Sequence, residues 1–416
     1  MKKCQKKGSF LVLIVIILTI TVVANEPGGE IVMANNRFGI QLYQQVKNVS
    51  ENVLISPFSI VNAFAMVYAG SDGQTHREIS QTFHYEENPA PFLEQIAQLN
   101  ASFKPIVQNE SGPLNIANAL WIQNHYPVLE SYLLLLQSYF QSEIHSVDFS
   151  NGEKTADEIN RWVSEKTKGK ITQIITPDIL NQMTTLILSN AIYFKGAWMN
   201  PFLEKNTKPE SFSLNPYKEI QVEMMNNTKS YRYLETNGLK LLEMPYRKEY
   251  NEYGESISKT DYSMIIFLPD DESSLEQFES QLTITTVNSF LEKLMQTPII
   301  DVEVKLPKFR VENTFNLNEI LKTMGMEIPF TASADFSKIT GNQDLFISDV
   351  LHKTYIDLDE KGTEAAAVTA IIMARGAFMK PELEVKTFHA NKPFMYIIRE
   401  NTTGSFIFIG KVTNPK

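Results

Sequence analysis

The chain has 416 residues, 38 of them basic and 48 acidic, for a formal net charge of −10. That balance speaks against nucleic acid or an anionic membrane surface as partner. The single cysteine, Cys4, excludes a disulfide framework, so the fold must rest on its core.

Residues 1–24 read as a targeting segment. Lys2, Lys3, Lys6 and Lys7 precede the apolar run Leu11–Val23, and Val22-Val23-Ala24 offers small residues for cleavage. The run is short for a membrane-spanning helix, so removal and export are expected, with an uncleaved anchor as the alternative. Loss of these four lysines leaves 34 basic against 48 acidic side chains, a charge of −14, and a chain beginning at Asn25. No linker, repeat or low-complexity tract divides residues 25–416, which read as one domain.

Asn36–Val46 sets Phe38, Leu42, Tyr43 and Val46 at helical spacing. Ser56 and Pro57 suit the N-cap and first position of a second helix; Ile60, Ala63, Phe64 and Val67 form its stripe and Gly70 its end. In Thr155–Gly169, Thr155 and Glu158 have capping-box spacing, and Ile159, Trp162 and Val163 form the apolar face. Thr185–Phe194 is nearly all apolar and suits a strand buried on both faces, with Tyr262–Leu268 similar. Asp301–Leu306 alternates, with Val302, Val304 and Leu306 on one side.

Asp359–Lys380, DEKGTEAAAVTAIIMARGAFMK, is ambivalent. Ala365–Ala367 favours helix, whereas Thr363, Val368, Thr369, Ile371 and Ile372 favour strand. Such a segment can be an exposed loop or a strand entering a sheet. As a strand it would put Thr363, Ala365, Ala367 and Thr369 on one face, none of them large. Gly362 supplies freedom at the turn before it. Beyond, Phe394–Ile398 and Phe406–Ile409 flank the turn at Glu400–Gly404, which reads as a hairpin. Helices crowd the first 180 residues and strands the rest, giving an α+β architecture with large mixed sheets.

The six histidines stand in no His-Glu-x-x-His helix, and no G-x-S-x-G elbow, phosphate loop or dinucleotide fingerprint is present. Catalytic activity, metal and cofactor are therefore not expected. Asn48, Asn100, Asn109, Asn226 and Asn401 open N-x-S/T sequons and are N-glycosylation candidates.

NVLISPFSI, LSNAIYFKGAW, LPKF, DLDEKGTEAAA and FHANKPFMYIIRENTTGSFIFIGKV, in this order, resemble the serpin family over almost all of the chain after residue 24. The resemblance implies helices packed around three β-sheets, an exposed reactive-centre loop at about residues 360–385, and a monomer. It implies a secreted inhibitor that a serine protease cleaves as a suicide substrate, the loop then inserting into the main sheet. A non-inhibitory carrier, chaperone or storage role is the alternative, but Glu360, Gly362, Thr363, Ala365, Ala366 and Ala367 match the inhibitory hinge. Thr363, the first residue expected to enter the sheet, is placed in the exposed loop before cleavage.

By the same resemblance, Ser56, Ser59, Asn190 and His352 form a hydrogen-bonded cluster beneath the sheet opening. Lys308 and Glu360 meet at its top near Trp198, as an exposed ion pair of little energetic weight. Seventeen positions counted from Glu360 end at Gly376, one fewer at Arg375. Arginine gives an acidic protease pocket something to grip, so the reactive bond is expected at Arg375–Gly376 with a trypsin-like target. Gly376–Ala377 with an elastase-like or subtilisin-like target is the alternative. Residues 84–113 hold one lysine and no arginine, so a heparin-type polyanion is not expected.

Overall fold

The computed structural model describes residues 29–86, 88–103, 113–140, 142–236, 238–248, 261–270, 273–363 and 385–416. The chain enters through α1 (Gly29–Val46), β1 (Val53–Ile55), α2 (Pro57–Ala69), α3 (Gly73–Phe83) and α4 (Pro89–Ser102). Next come β2 (Leu114–Gln123), α5 (Glu130–Leu135), β3 (Glu143–Val147), α6 (Gly152–Lys166), β4 (Leu186–Phe194) and β5 (Gly196–Ala197). A strand-rich stretch follows: β6 (Lys208–Asn215), β7 (Lys218–Thr236), β8 (Leu239–Pro245) and β9 (Tyr262–Pro269). Then α7 (Leu275–Ser280), α8 (Ile284–Gln296), β10 (Ile299–Pro307), β11 (Phe309–Asn316), α9 (Asn318–Thr323) and α10 (Ser337–Thr340). The last elements are β12 (Ile347–Leu358), β13 (Gly362–Thr363), β14 (Lys386–His389), β15 (Phe394–Glu400) and β16 (Phe406–Val412).

Two hydrogen-bonded sheets result among the described residues. One has seven strands, ordered β3-β2-β4-β12-β13-β5, with β11 on β12. The other has nine, ordered β1-β16-β15-β9-β8-β7-β10-β14, with β6 on β7. The third sheet expected from sequence is continuous with the nine-stranded one. Its link is β7, whose length lets it pair in turn with β6, β10 and β8.

Local chemistry explains the helix ends. Ser56 Oγ accepts from the Ser59 N–H and Pro57 takes the first position of α2, as its sequence predicts. Nearly every α2 side chain is buried, so the expected stripe is a whole circumference: this helix runs through the core. In α6 the capping expectation is corrected. Asn151, not Thr155, is the N-cap, and Thr155 inside the first turn donates its hydroxyl to the Asp148 carbonyl at 2.7 Å. Asparagine is the stronger cap and comes first. Likewise α1 already includes Gly29, seven residues before the predicted Asn36, because Ile31 and Val32 extend its buried face.

The seven-stranded sheet divides two cores. One face packs on the main core around α2, to which Leu186, Leu188, Ile192 and Phe194 of β4 contribute. The other lies under α6, where Ile187, Ala191 and Tyr193 meet Trp121, Ile159 and Val163. Coverage on both faces is why β4 reads as a nearly continuous apolar run, interrupted by Ser189 and Asn190. No helix among the described residues is long and apolar enough to cross a membrane.

Candidate functional site

At the centre of the seven-stranded sheet, β4 and β12 run parallel from Leu186 beside Ile347 to Tyr193 beside Tyr355. A strand entering this seam would be antiparallel to both. β13 already holds that position at the upper end. Thr363 pairs with Leu358 of β12 on one side and Gly196 of β5 on the other, and Gly362 pairs with Ala197. The chain reverses into β13 through an aspartate turn. Asp359 Oδ1 accepts from the N–H groups of Lys361 and Gly362, and the Asp359 N–H donates to the Gly362 carbonyl at 2.9 Å.

Thr363 is fully buried, and its hydroxyl shares a 2.8 Å hydrogen bond with the Tyr246 hydroxyl. The expectation of an exposed Thr363 is thereby corrected: ladder bonds from two strands and a buried phenol hold it inside the sheet. Gly362 is indispensable here. Its φ of +150° disfavours any side chain, and a Cβ would stand 2.1 Å from the Gly196 carbonyl oxygen.

Beside this turn, Glu360 Oε2 meets Lys308 Nζ at 3.0 Å, and Glu360 Oε1 accepts from the Thr207 hydroxyl at 2.7 Å. The pair is not fully exposed as expected. The Lys308 side chain is 40% accessible but that of Glu360 only 8%. Burial by itself would raise the Glu360 carboxyl; the bonds from Thr207, its own backbone and Lys308 outweigh it and hold the group below its ordinary range. Trp198 closes the corner, its indole N–H donating to the Asp359 carbonyl at 3.1 Å and its ring stacked on Tyr246 at 4.4 Å.

Deeper in the seam, Asn190 and His352 are ladder partners. His352 Nδ1 lies 2.5 Å from Asn190 Oδ1, while His352 Nε2 accepts from the Ser56 N–H at 3.1 Å. That acceptor role fixes the neutral tautomer with its proton on Nδ1. The Asn190 amide donates to Ser59 Oγ and Asn118 Oδ1, and Ser56 Oγ donates to the Ile407 carbonyl. The Ser56 backbone at the cap of α2 and the side chains of Ser59, Asn118, Asn190 and His352 thus tie the seam to the helix beneath it.

Burial lowers the His352 pKa to about 3, and a second ring proton would face the Ser56 N–H. The folded value lies below the unfolded one of about 6.5, so the unfolded chain takes up the proton first as pH falls. Stability present above pH 6.5 is lost towards pH 3, at up to about 1.4 kcal/mol per unit. In urea titrations, wild type should lose ground to His352→Gln below pH 6.5. A difference between the two that stays constant with pH would contradict this.

The sequence missed Asn118, Thr207 and Tyr246. Asn118 carried a weaker form of the signal that marked Asn190, because its strand β2 also holds Asn115 and Gln123. Thr207 and Tyr246 carried none, because their partners lie more than a hundred residues away. Ala365, Ala366, Ala367, Arg375, Gly376, Asn109 and the segment 1–24 fall outside the described residues. Of the remaining sequons, Asn48 is exposed, Asn100 half-buried on α4, and Asn226 and Asn401 bond through Nδ2 to Glu303 and Ser263.

The family model for Serpin (serine protease inhibitor) matches residues 33–415. The human leukocyte elastase inhibitor is 36% identical over 395 residues, covering 92% of this chain and 98% of that protein. An uncharacterized serpin-like protein of Thermococcus kodakarensis is 36% identical over 389 residues, covering 93% and 86%. The crystal structure of a thermophilic serpin, tengpin, in the native state superposes with a TM-score of 0.78 at 29% identity, covering 92% and 94%. With a parallel seam, a glycine-hinged strand at its mouth and these matches along nearly the whole chain, the protein belongs to the serpin family.

Proposed function

We propose that the protein is a secreted inhibitor of serine-type endopeptidases that works as a suicide substrate by inserting its loop between β4 and β12. The observation that carries this reading is β13, a hinge seated antiparallel at the mouth of a parallel seam. Parallel pairing is slightly the weaker kind per residue, so exchanging one parallel ladder for two antiparallel ones is downhill once a strand is free to enter. Residues 364–385 connect β13 to β14, and cleavage within them frees the end that insertion needs.

The register set by Thr363 predicts the inserted form. Stepping along it puts Ala365 between Phe194 and Ile356, Ala367 between Ile192 and Thr354, and Thr369 between Asn190 and His352. On the α6 face, Ala366 would pass between Tyr193 and Tyr355, whose rings now touch across the seam at 6.4 Å. Small residues are what that passage admits.

The chemistry balances simply. The protease serine attacks the Arg375 carbonyl, the bond to Gly376 breaks with Gly376 leaving as a new amine, and the enzyme stays esterified to Arg375. Residues 363–375 span about 40 Å as a strand, enough to carry the ester beyond Leu186 at the far end of β4. An acidic pocket that grips Arg375 makes the target trypsin-like. The relatives named leukocyte elastase inhibitor favour a second reading, cleavage at Gly376–Ala377 by an elastase-like enzyme.

Mass spectrometry of the fragment released from a stalled protease complex separates the two. It should begin at Gly376 with trypsin, and Arg375→Ala should abolish that complex. A fragment beginning at Ala377, or an unchanged complex with the variant, moves the bond. Export is tested by N-terminal sequencing, where Asn25 is expected and Met1 in a cytoplasmic fraction contradicts it.

A further inference from the structure

α6 stands in the way of the strand that insertion brings. Its Ile159 and Val163 share one apolar cluster with Ile187 and Ala191 of β4 and with Leu351 and Tyr355 of β12. The helix therefore lies over both sides of the seam. A strand entering there turns every second side chain to this face, so α6 must rise to admit it.

One carboxylate holds the helix down. The side-chain hydrogen bonds that join α6 to a strand among the described residues both end on Glu143 of β3. The Trp162 indole N–H donates to Oε2 at 2.9 Å, and Lys166 Nζ donates to Oε1 at 2.6 Å. Burial by itself would raise the Glu143 carboxyl; the bonds from Lys166 and Trp162 outweigh it and keep the group below its ordinary range.

His145, further along β3, is built into the same contact. Its ring stacks on Trp121 of β2 at 4.3 Å and meets Trp162 edge-on at 5.6 Å. Nε2 is buried 3.1 Å from Glu143 Oε2, yet it has no hydrogen-bond partner among the described residues. The charged groups that face the ring are Glu143 on its own strand and Glu158 and Lys166 on α6. From α5, Leu133, Leu136 and Gln137 border it and carry no charge.

We propose that Glu143 and His145 are positioning residues for insertion: Glu143 latches α6 over the seam, and protonation of His145 releases the latch. In the imidazolium both ring nitrogens carry protons, so Nε2 draws on Glu143 Oε2 and competes with Lys166 for the carboxylate. Burial lowers the His145 pKa from its ordinary value, and the attraction of Glu143 and Glu158 does not offset it. With α6 raised, Trp162 and Lys166 move off while Glu143 stays, so the ring takes up its proton more readily. Protonation therefore favours the raised helix, and acid speeds insertion as pH falls through about 6.5. This role rests on the insertion reading.

The test follows uptake of a fluorescent peptide with the sequence of residues 364–375 by the full, uncleaved protein, which needs no protease. Wild type should take it up several-fold faster at pH 5.5 than at pH 7.5. The ceiling is about tenfold, the span of one pH unit below the ordinary histidine value. His145→Gln should flatten that profile, and Glu143→Gln should already be fast at pH 7.5. The wild-type comparison stands even where a variant fails to fold. Equal wild-type rates at the two pH values, or a pH dependence kept by His145→Gln, overturn the role of His145. An unchanged rate for folded Glu143→Gln overturns the latch. No uptake by wild type at either pH overturns insertion itself, and the latch falls with it.

Discussion

Thr363→Arg is expected to turn the inhibitor into a substrate. A guanidinium at this position has no countercharge among Leu358, Gly196 and the Tyr246 hydroxyl, which now surround the threonine. An unpaired charge in such a layer costs several kcal/mol even after relaxation. Insertion need only fall behind deacylation for inhibition to fail, and about 1.4 kcal/mol on its barrier is already tenfold. On a denaturing gel, wild type should give a detergent-stable complex with its protease and the variant only cleaved chain. Equal yields of complex would sink insertion for this protein.

Because Thr363 is buried before cleavage, the same substitution must also act on the uncleaved molecule. The two residues of β13 can slip out of the seam, giving up their ladder bonds and the Tyr246 contact while the long ladders of β4, β12 and β11 remain. A modest fall in the melting temperature of the uncleaved variant is therefore expected, beside the total loss of complex. Tyr246→Phe isolates the smaller effect, since it leaves the Thr363 hydroxyl buried without its partner. Burial pushes the Tyr246 phenol far above its ordinary range, so this bond should not respond to pH in the working range.

Contrasting residues show what the sequence could and could not reveal. Ser56 and Pro57 were legible because capping is local, and β4 because burial on both faces leaves a nearly continuous apolar run. Gly362 was legible as a hinge, but not the Gly196 carbonyl that forbids it a side chain. Thr363 looked like an exposed loop residue because its two strand partners and Tyr246 come together only in the folded sheet. Asn118 was harder to single out than Asn190, since β2 carries Asn115 and Gln123 beside it whereas β4 carries one amide. Asn151 could have been preferred to Thr155 as the cap of α6 by rank alone. The Thr207–Glu360 bond, by contrast, joins residues 153 apart in sequence and left no trace in either neighbourhood.

Nicking the loop should raise the melting temperature by about 10 °C or more. Insertion buries Val368, Ile371, Ile372 and Met373, at about 1.5–3 kcal/mol each, without closing a new chain loop. At a degree or more per kcal/mol for a chain of this size, that is a shift of about 10 °C. An unchanged melting temperature after complete nicking would place the protein with carriers whose loop stays outside. The register makes a finer demand on the same experiment. Opening the seam parts His352 from Asn190, and Thr369 is the residue that arrives between them. Its hydroxyl can satisfy the pair it separates, whereas valine of nearly the same shape leaves buried polar groups unmet, at about 1–3 kcal/mol each. Thr369→Val should therefore leave the uncleaved protein unchanged and cut the rise on nicking by several degrees. If both proteins rise equally, the inserted strand stops short of His352 and Asn190, and the enzyme carried on Arg375 is not drawn the full length of β4.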